Sequence, residues 1–339
     1  MRVLMLTYPG TPVGPAACGG TEQMAYLLLR AWSQDAELRV SWVGARGSVR
    51  LPKVDFAAWE SLSGGQLPAG DWELIHNNGA FAVRATPAPT PTLFTLHLAR
   101  SLYPPALLEQ RAANLHLQCV SQTQARLYGD AACCGYIGNG VDLAQFAARR
   151  HIAARDAPLL YLGRICPEKG PHAAIAAARQ AKRRLWLVGA VAPFPTHQEY
   201  FARKIAPQLD GDRRWLPPPS LQGKRSLLAA AAAVLVPSRI AEASSIVAME
   251  AAASGVPVLA TRAGALPEIV ADGETGFLGS TEEFPALVDR LGSLHPQACR
   301  RRAERLFSSE RMIAGYRALY HRLCRAEAAG SLQPVRCNL

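Results

Sequence analysis

AAAVLVPSRIAEASSIVAMEAAASGVPVLAT, residues 231–261, decides how the rest of the chain is read. AAVLVPS (232–238) is a short apolar run that stops at a proline, and VPVLAT (256–261) is a second one, so both read as buried strands. The segment between them predicts a loop over Arg239–Ala243 and a helix starting near Ser244 or Ser245. Two such strands joined through a helix form a βαβ unit, and hence a parallel sheet. Within it, Glu242 and Glu250 bracket seven residues, four of them small and none charged. Glu242 falls in the loop at the carboxyl end of the strand. Glu250 falls five or six residues into the helix, roughly 8 Å along its axis at about 1.5 Å per residue.

The same alternation runs outward in both directions. In the first half, strands are expected at 2–8, 37–44, 73–77, 91–97, 115–121 and 135–139. In the second half they are expected at 158–164, 184–189, 213–217, 232–238 and 256–261. TEQMAYLLLRAW (21–32) reads as a helix with Thr21 as N-cap, residues 45–70 as a polar, Gly/Pro-rich loop, and the chain from about 281 as helical. ARRHIAARDAP, around 148–157, breaks the alternation. The fold class expected is therefore α/β, with two Rossmann-like doubly wound domains facing each other across a cleft, divided at 150/151. Ligands of such sheets bind at the carboxyl ends of the strands.

At 339 residues the chain suits two domains. It is 49% hydrophobic but has no run of 18 apolar residues, which argues against a membrane span. MRVLMLTYPG reads as a first strand rather than a secretory leader. The eight cysteines include no C-x-x-C pair, as expected of reduced thiols in a cytoplasmic protein. Residues 1–150 hold 12 Lys and Arg against 10 Asp and Glu, leaving 25 against 16 for the remainder of a chain of net charge +11. Aromatics make up 7%, and no arginine tract is interleaved with them, so the basic second half reads as solvated helix faces rather than a nucleic-acid surface. The first half has no basic amphipathic helix of the kind that lies on anionic membranes. The abundance of Ala and Arg suggests a bacterial, GC-rich source.

The chemistry follows from the position of the polar residues. The start of the helix after AAVLVPS offers free N–H groups and a positive dipole end, an anion site best suited to a phosphate. Glu250 on the ligand side could accept hydrogen bonds from a ribose, and Glu242 would reach the other way, toward whatever the distal phosphate carries. YLGRICPEKG (161–170) places Arg164 and Lys169 in the loop after another strand, where two cations can neutralise a diphosphate. Gly19 and Gly20 lie between the first strand and the first helix, where backbone can approach a ligand closely. They do not form G-x-G-x-x-G, which argues against a nicotinamide dehydrogenase. Asp210-Gly211-Asp212 is a D-x-D pattern in the setting of a plain turn, so no metal is expected. His76, at the end of ELIHN, is either a core or an acceptor-side residue.

Taken in order, GGTE, TLHLA, CVSQTQ, IGNGVD with Phe146, YLGRICPEKG, VPS-x-x-x-E-x₇-E and SGVPVLAT…GALPEIVADGETGF resemble the retaining glycosyltransferases of family 4, group 1, whose fold is GT-B. The resemblance spans residues 1 to about 280. It implies a hexosyl transfer from a nucleotide-diphosphate sugar, a UDP-sugar favoured, with no metal and no cofactor beyond that co-substrate. Glu250 would hold the ribose hydroxyls and Glu242 the sugar hydroxyls. The backbone amides of Ser244, Ser245 and Ile246 would meet the distal phosphate, and Arg164 and Lys169 the diphosphate. Gly20, beside Gly19, would approach from the other domain, and His97 would stand beside the donor sugar. The catalytic set implied is His97, Glu242, Arg164 and Lys169. The last helix, in 311–339, would cross back to the first domain.

Two departures from the family pattern stand out. Ser244-Ser245 replaces the usual Phe-Gly, and WLPPPS (215–220) stands where a glycine is common and the base pocket lies. The motifs offer no carboxylate nucleophile, so the resemblance implies same-face displacement, with the leaving phosphate taking the acceptor's proton. The acceptor expected is a glycan, lipid or small molecule. Two rivals are a nucleotide-sugar epimerase of the same fold and an inactive nucleotide-sugar-binding homologue.

Overall fold

The structure, a computed structural model, describes every residue except 16–18, 63–65, 80–89, 104, 106–113, 129–132 and 329–339. It divides into two compact units: Met1–Asn139 with Ser309–Leu339, and Gly140–Ser308.

The first unit is built on a seven-stranded parallel sheet. Its strands are β1 (Arg2–Thr7), β2 (Arg39–Gly44), β3 (Val54–Ala58), β4 (Leu74–Asn78), β5 (Thr92–Leu96), β6 (Leu115–Cys119) and β7 (Cys133–Tyr136). They are ordered β3-β2-β1-β4-β5-β6-β7. In RVLMLT, all residues after Arg2 are buried, as expected of a central strand covered on both faces. Helix Gly20–Trp32 covers one face, burying Met24, Leu28, Leu29 and Trp32. The long helix Ser309–Ala328 packs against that helix and β4, with Tyr316 and Tyr320 fully buried. Tyr320 Oη lies 2.6 Å from His76 Nδ1, and Thr95 Oγ1 lies 2.8 Å from His76 Nε2. The imidazole stacks on Tyr316 at 5.3 Å. His76 is thus a core residue that ties the returning helix to the sheet.

The second unit has a six-stranded parallel sheet of β8 (Leu159–Leu162), β9 (Leu185–Val188), β10 (Arg213–Leu216), β11 (Ala233–Val236), β12 (Val258–Ala260) and β13 (Gly276–Leu278). Their order is β10-β9-β8-β11-β12-β13. Successive residues feed opposite faces. Leu160 and Val234 join Phe146, Met249 and Phe307 on one side, while Leu159, Tyr161 and Leu235 join Ile175, Phe277 and Phe284 on the other. Strand order reverses between β8 and β11, so the loops leaving these two strands border the ligand-binding position of a doubly wound sheet.

Three expectations are corrected. The boundary lies at 139/140, not 150/151, because residues 140–150 belong to the second core. Val141 and Phe146 are buried there, and the Arg149 guanidinium donates to the carbonyls of Gly255, Ala231 and Ala232 at 3.0, 2.6 and 3.2 Å. The returning segment starts at Ser309, not 311. The 45–70 stretch contains β3, paired in register from Val40↔Val54 to Gly44↔Ala58.

Part of the basic excess points inward rather than to solvent. Arg300 donates to Phe146 O and Ala253 O, and Arg302 to Ile269 O and Glu268 O. Cys166 and Cys299 are free thiols, and Cys18 and Cys337 lie outside the described residues. Among the described residues, no helix is long and apolar enough to cross a membrane.

Candidate functional site

The turn between β11 and helix Ile246–Ala253 is the centre of the second unit's site. Ser245 is the N-cap, its Oγ accepting from Ala248 N at 3.4 Å. Ile246 opens the helix, so its N–H has no acceptor within it. The polar turn ahead of the helix is shaped by two glycines in the left-handed region. Gly264 (φ 59°) sits so close over Glu242 that a Cβ would strike that residue's backbone, and Ala265 N donates to Glu242 O at 2.8 Å. Gly170 (φ 66°) lies against Pro237 O in the same way. With Arg239 N donating to Glu168 O at 2.9 Å, it draws the loop after β8 onto the loop after β11.

That stitching brings Lys169 to Glu242. The ammonium donates to both carboxylate oxygens, at 2.6 and 2.7 Å, and Ser238 Oγ donates to Oε1 at 2.6 Å. Glu242 is buried, at 7% exposure. Arg164, five residues before Lys169, is half exposed, with Glu168 Oε1 3.6 Å from Nη2. The site therefore has one cation committed to a carboxylate and one facing solvent. Glu250, one turn into the helix, is buried and paired with Lys224, whose Nζ lies 2.6 Å from Oε1. Burial raises the Glu250 pKa and the Lys224 charge opposes the rise. Arg164, Lys169, Glu242, Ser244, Ser245, Ile246 and Glu250 thus lie on the two loops that flank the switch point and the helix that follows.

Gly19, Gly20 and His97 belong to the first unit. Gly19, not Thr21, is the N-cap of helix Gly20–Trp32, in an extended conformation with no side-chain cap. A Cβ on Gly19 would strike the Glu22 carboxylate, which folds back over it. His97 follows β5, with Nε2 2.8 Å from Asn78 Oδ1, and Asn78 Nδ2 in turn donates to Thr21 O at 3.5 Å. Burial lowers the His97 pKa to about 4, so the ring is neutral at pH 7. With Nε2–H donating to the amide oxygen, Nδ1 keeps its lone pair as an acceptor.

Lys224, Ser238 and Asn78, the partners of Glu250, Glu242 and His97, do not stand out in the sequence. Ser238 stands inside the VPS motif, but Lys224 and Asn78 meet their partners across 26 and 19 residues. Asp210 holds a turn: its Oδ1 accepts from Asp212 N and Arg213 N, and its Oδ2 pairs with Arg213. Among the described residues no group of three or more His, Cys, Asp or Glu could hold a metal ion.

Residues 157–296 match the family model of the glycosyl transferases group 1. The matched stretch lies within the second unit, Gly140–Ser308. A D-inositol 3-phosphate glycosyltransferase of Kribbella flavida is 37% identical to the chain over 189 residues, which cover 50% of this chain and 44% of that protein. One from Corynebacterium efficiens is 36% identical over 144 residues, 40% of this chain and 33% of the relative. The chain thus spans less than half the length of these curated relatives. Solved structures match nearly the whole chain. The sucrose-phosphate synthase of Thermosynechococcus elongatus aligns over 96% of this chain and 99% of its own, with TM-score 0.77 and 19% identity. AviGT4, a glycosyltransferase involved in avilamycin A biosynthesis, aligns over 96% and 98%, with TM-score 0.71 and 24% identity. Anabaena HepE, solved in complex with UDP-glucose, aligns over 95% and 100%, with TM-score 0.73 and 20% identity. At these identities the likeness is one of fold, and that fold is GT-B, with two Rossmann-like units.

Proposed function

We propose that the chain is a retaining, metal-independent glycosyltransferase that moves a hexosyl group from a nucleotide-diphosphate sugar, a UDP-sugar favoured, to an acceptor hydroxyl in the cytoplasm. The observation that carries this reading is the Ser238–Glu242–Lys169 cluster beside the start of helix Ile246–Ala253. An ammonium has three donors. Two of those on Lys169 are spent on Glu242, and the third is available to a phosphate oxygen. Arg164, free to swing, would take the other phosphate, and the amides of Ser244, Ser245 and Ile246 the distal one. Glu242, fixed by Lys169 and Ser238, would receive the sugar hydroxyls, and Glu250 those of the ribose. A UDP-glucose complex of a protein sharing the fold supports the donor class.

In the reaction, the bond from the anomeric carbon to the phosphate oxygen breaks and its electron pair leaves with the diphosphate. The acceptor oxygen bonds to that carbon on the same face, and its proton passes to the departing oxygen. Glu242 is held by a cation and a hydroxyl, which suits orientation rather than nucleophilic attack. Catalysis would rest on stabilising the diphosphate charge and aligning the acceptor.

Calorimetric titration of UDP, GDP and ADP in the presence of EDTA, on the wild type and on Glu250→Ala, tests the donor site. Binding of one nucleotide that is lost in the variant is the expected result. No binding of any of the three to the folded protein would remove the proposal and leave the inactive homologue as the reading.

A further inference from the structure

The donor-site reading assigns no task to Lys224. Its side chain is 14% exposed and that of Glu250 is 4% exposed. The two carboxylate–lysine pairs of the second unit differ in a way that matters. Lys169 donates to both oxygens of Glu242, whereas Lys224 donates to Oε1 of Glu250 alone. Glu250 Oε2 is buried and has no hydrogen-bond partner among the described residues. A buried ion pair is a weak source of stability, and well-packed apolar side chains commonly serve as well or better. An unsatisfied buried oxygen adds a cost of its own. Stability alone therefore does not explain an arrangement in which one oxygen is anchored and its twin is left over.

The position of Lys224 is equally specific. It lies in the first half of helix Leu221–Ala230, of whose residues only Leu228 is buried. That helix is capped by Ser220 Oγ, which accepts from Gly223 N at 3.1 Å. The contact between Lys224 and Glu250 thus ties a lightly packed turn to the buried helix that carries the carboxylate.

We infer that Lys224 is a positioning residue: it holds Glu250 by one oxygen so that the other is presented to the ribose hydroxyls of the donor nucleotide. This rests on the donor-site reading given above. Without the ammonium, the carboxylate can turn about its last bond, and burial favours its protonated form.

The test compares the nucleoside diphosphate that binds the wild type best, among UDP, GDP and ADP, with its 2′,3′-dideoxy analogue, by calorimetry. The wild type should prefer the ribose form by about 10- to 100-fold, the scale of one hydrogen bond to a charged group. Lys224→Met should bring that preference close to unity while leaving affinity for the dideoxy analogue within about threefold. Lys224→Gln is one atom shorter but keeps a donor without the charge. It should fall between the two, and it keeps the test valid if the methionine variant does not fold. A preference that survives in both variants, or an equal loss for both nucleotides, overturns the inference. If the wild type binds neither nucleotide, the donor-site reading fails and the inference fails with it. If the preference survives Glu250→Ala, the ribose is read elsewhere: the inference falls together with the assignment of Glu250 to the ribose, while nucleotide binding by the wild type still supports a donor site.

Discussion

The two cations after β8 are held differently. Lys169 is already paired with Glu242, while Arg164 is half exposed with a loose contact to Glu168. Arg164→Met should lower turnover about ten- to a thousandfold, the scale for one preorganised charge stabiliser, with no loss of melting temperature. Lys169→Met should lower turnover on the same scale and also cost stability, because it leaves Glu242 buried without its cation. Steady-state kinetics beside thermal melts would show this, and unchanged turnover in both variants would remove the pair from catalysis. The residues of this site were legible to different degrees. Arg164, Lys169, Glu242 and Glu250 stand out because charged residues interrupt apolar runs at strand and helix ends. Lys224 did not, because its partner is set by how helix Leu221–Ala230 lies against helix Ile246–Ala253, which no local pattern records. His76 was ambiguous for a similar reason. Its partners Tyr316 and Tyr320 lie more than 200 residues away in the chain.

The switch-point loops depend on glycines whose role shows only in three dimensions. Gly264 has a positive φ and no room for a Cβ against the Glu242 backbone. Gly264→Ala should therefore displace the turn that carries Glu242. The expected outcome is a loss of stability of about 1–3 kcal/mol, together with weakened binding of the intact nucleotide sugar. Binding of the free nucleoside diphosphate, which does not need Glu242, should be affected less. Calorimetry with both ligands separates these, and equal losses would mean that the turn does not act through Glu242. Among the strands, the long apolar runs were readable and the marginal ones were not. β3 has no fully buried residue, so its VDFAA lacks both a clean alternation and a hydrophobic run. β13 is three residues, Gly276–Leu278, too short to register against its polar surroundings. The boundary was misplaced because ARRHIAARDAP looks like a linker, whereas Arg149 within it anchors three carbonyls of the second unit.

In the first unit as a whole, burial lowers the His76 pKa to about 3, assisted by His97, whose own value falls to about 4. An unfolded chain protonates both near 6.5. Between those values the unfolded state binds more protons, so the stabilisation is complete above about pH 6.5 and is lost as pH falls. The loss for each histidine approaches about 1.4 kcal/mol per pH unit well inside its window. Melts of the wild type and His76→Asn between pH 7.5 and 5 should show a shallower slope in the variant, and parallel slopes would exclude His76 as a source. The ring network that lowers this pKa is supplied by a helix made after the entire second unit. Gly140–Ser308 is an insertion whose two ends are clasped by the hydrogen bond from Val141 N to Phe307 O. On a ribosome, that inserted unit is complete before Ser309–Ala328 is translated. Until then, the sheet begun at Arg2 must wait with His76 and Trp32 lacking the tyrosines that cover them. Domains generally fold in the order in which they are synthesised, but here the unit started second has its whole sequence made first, and the sheet begun at Arg2 receives its covering helix only afterwards.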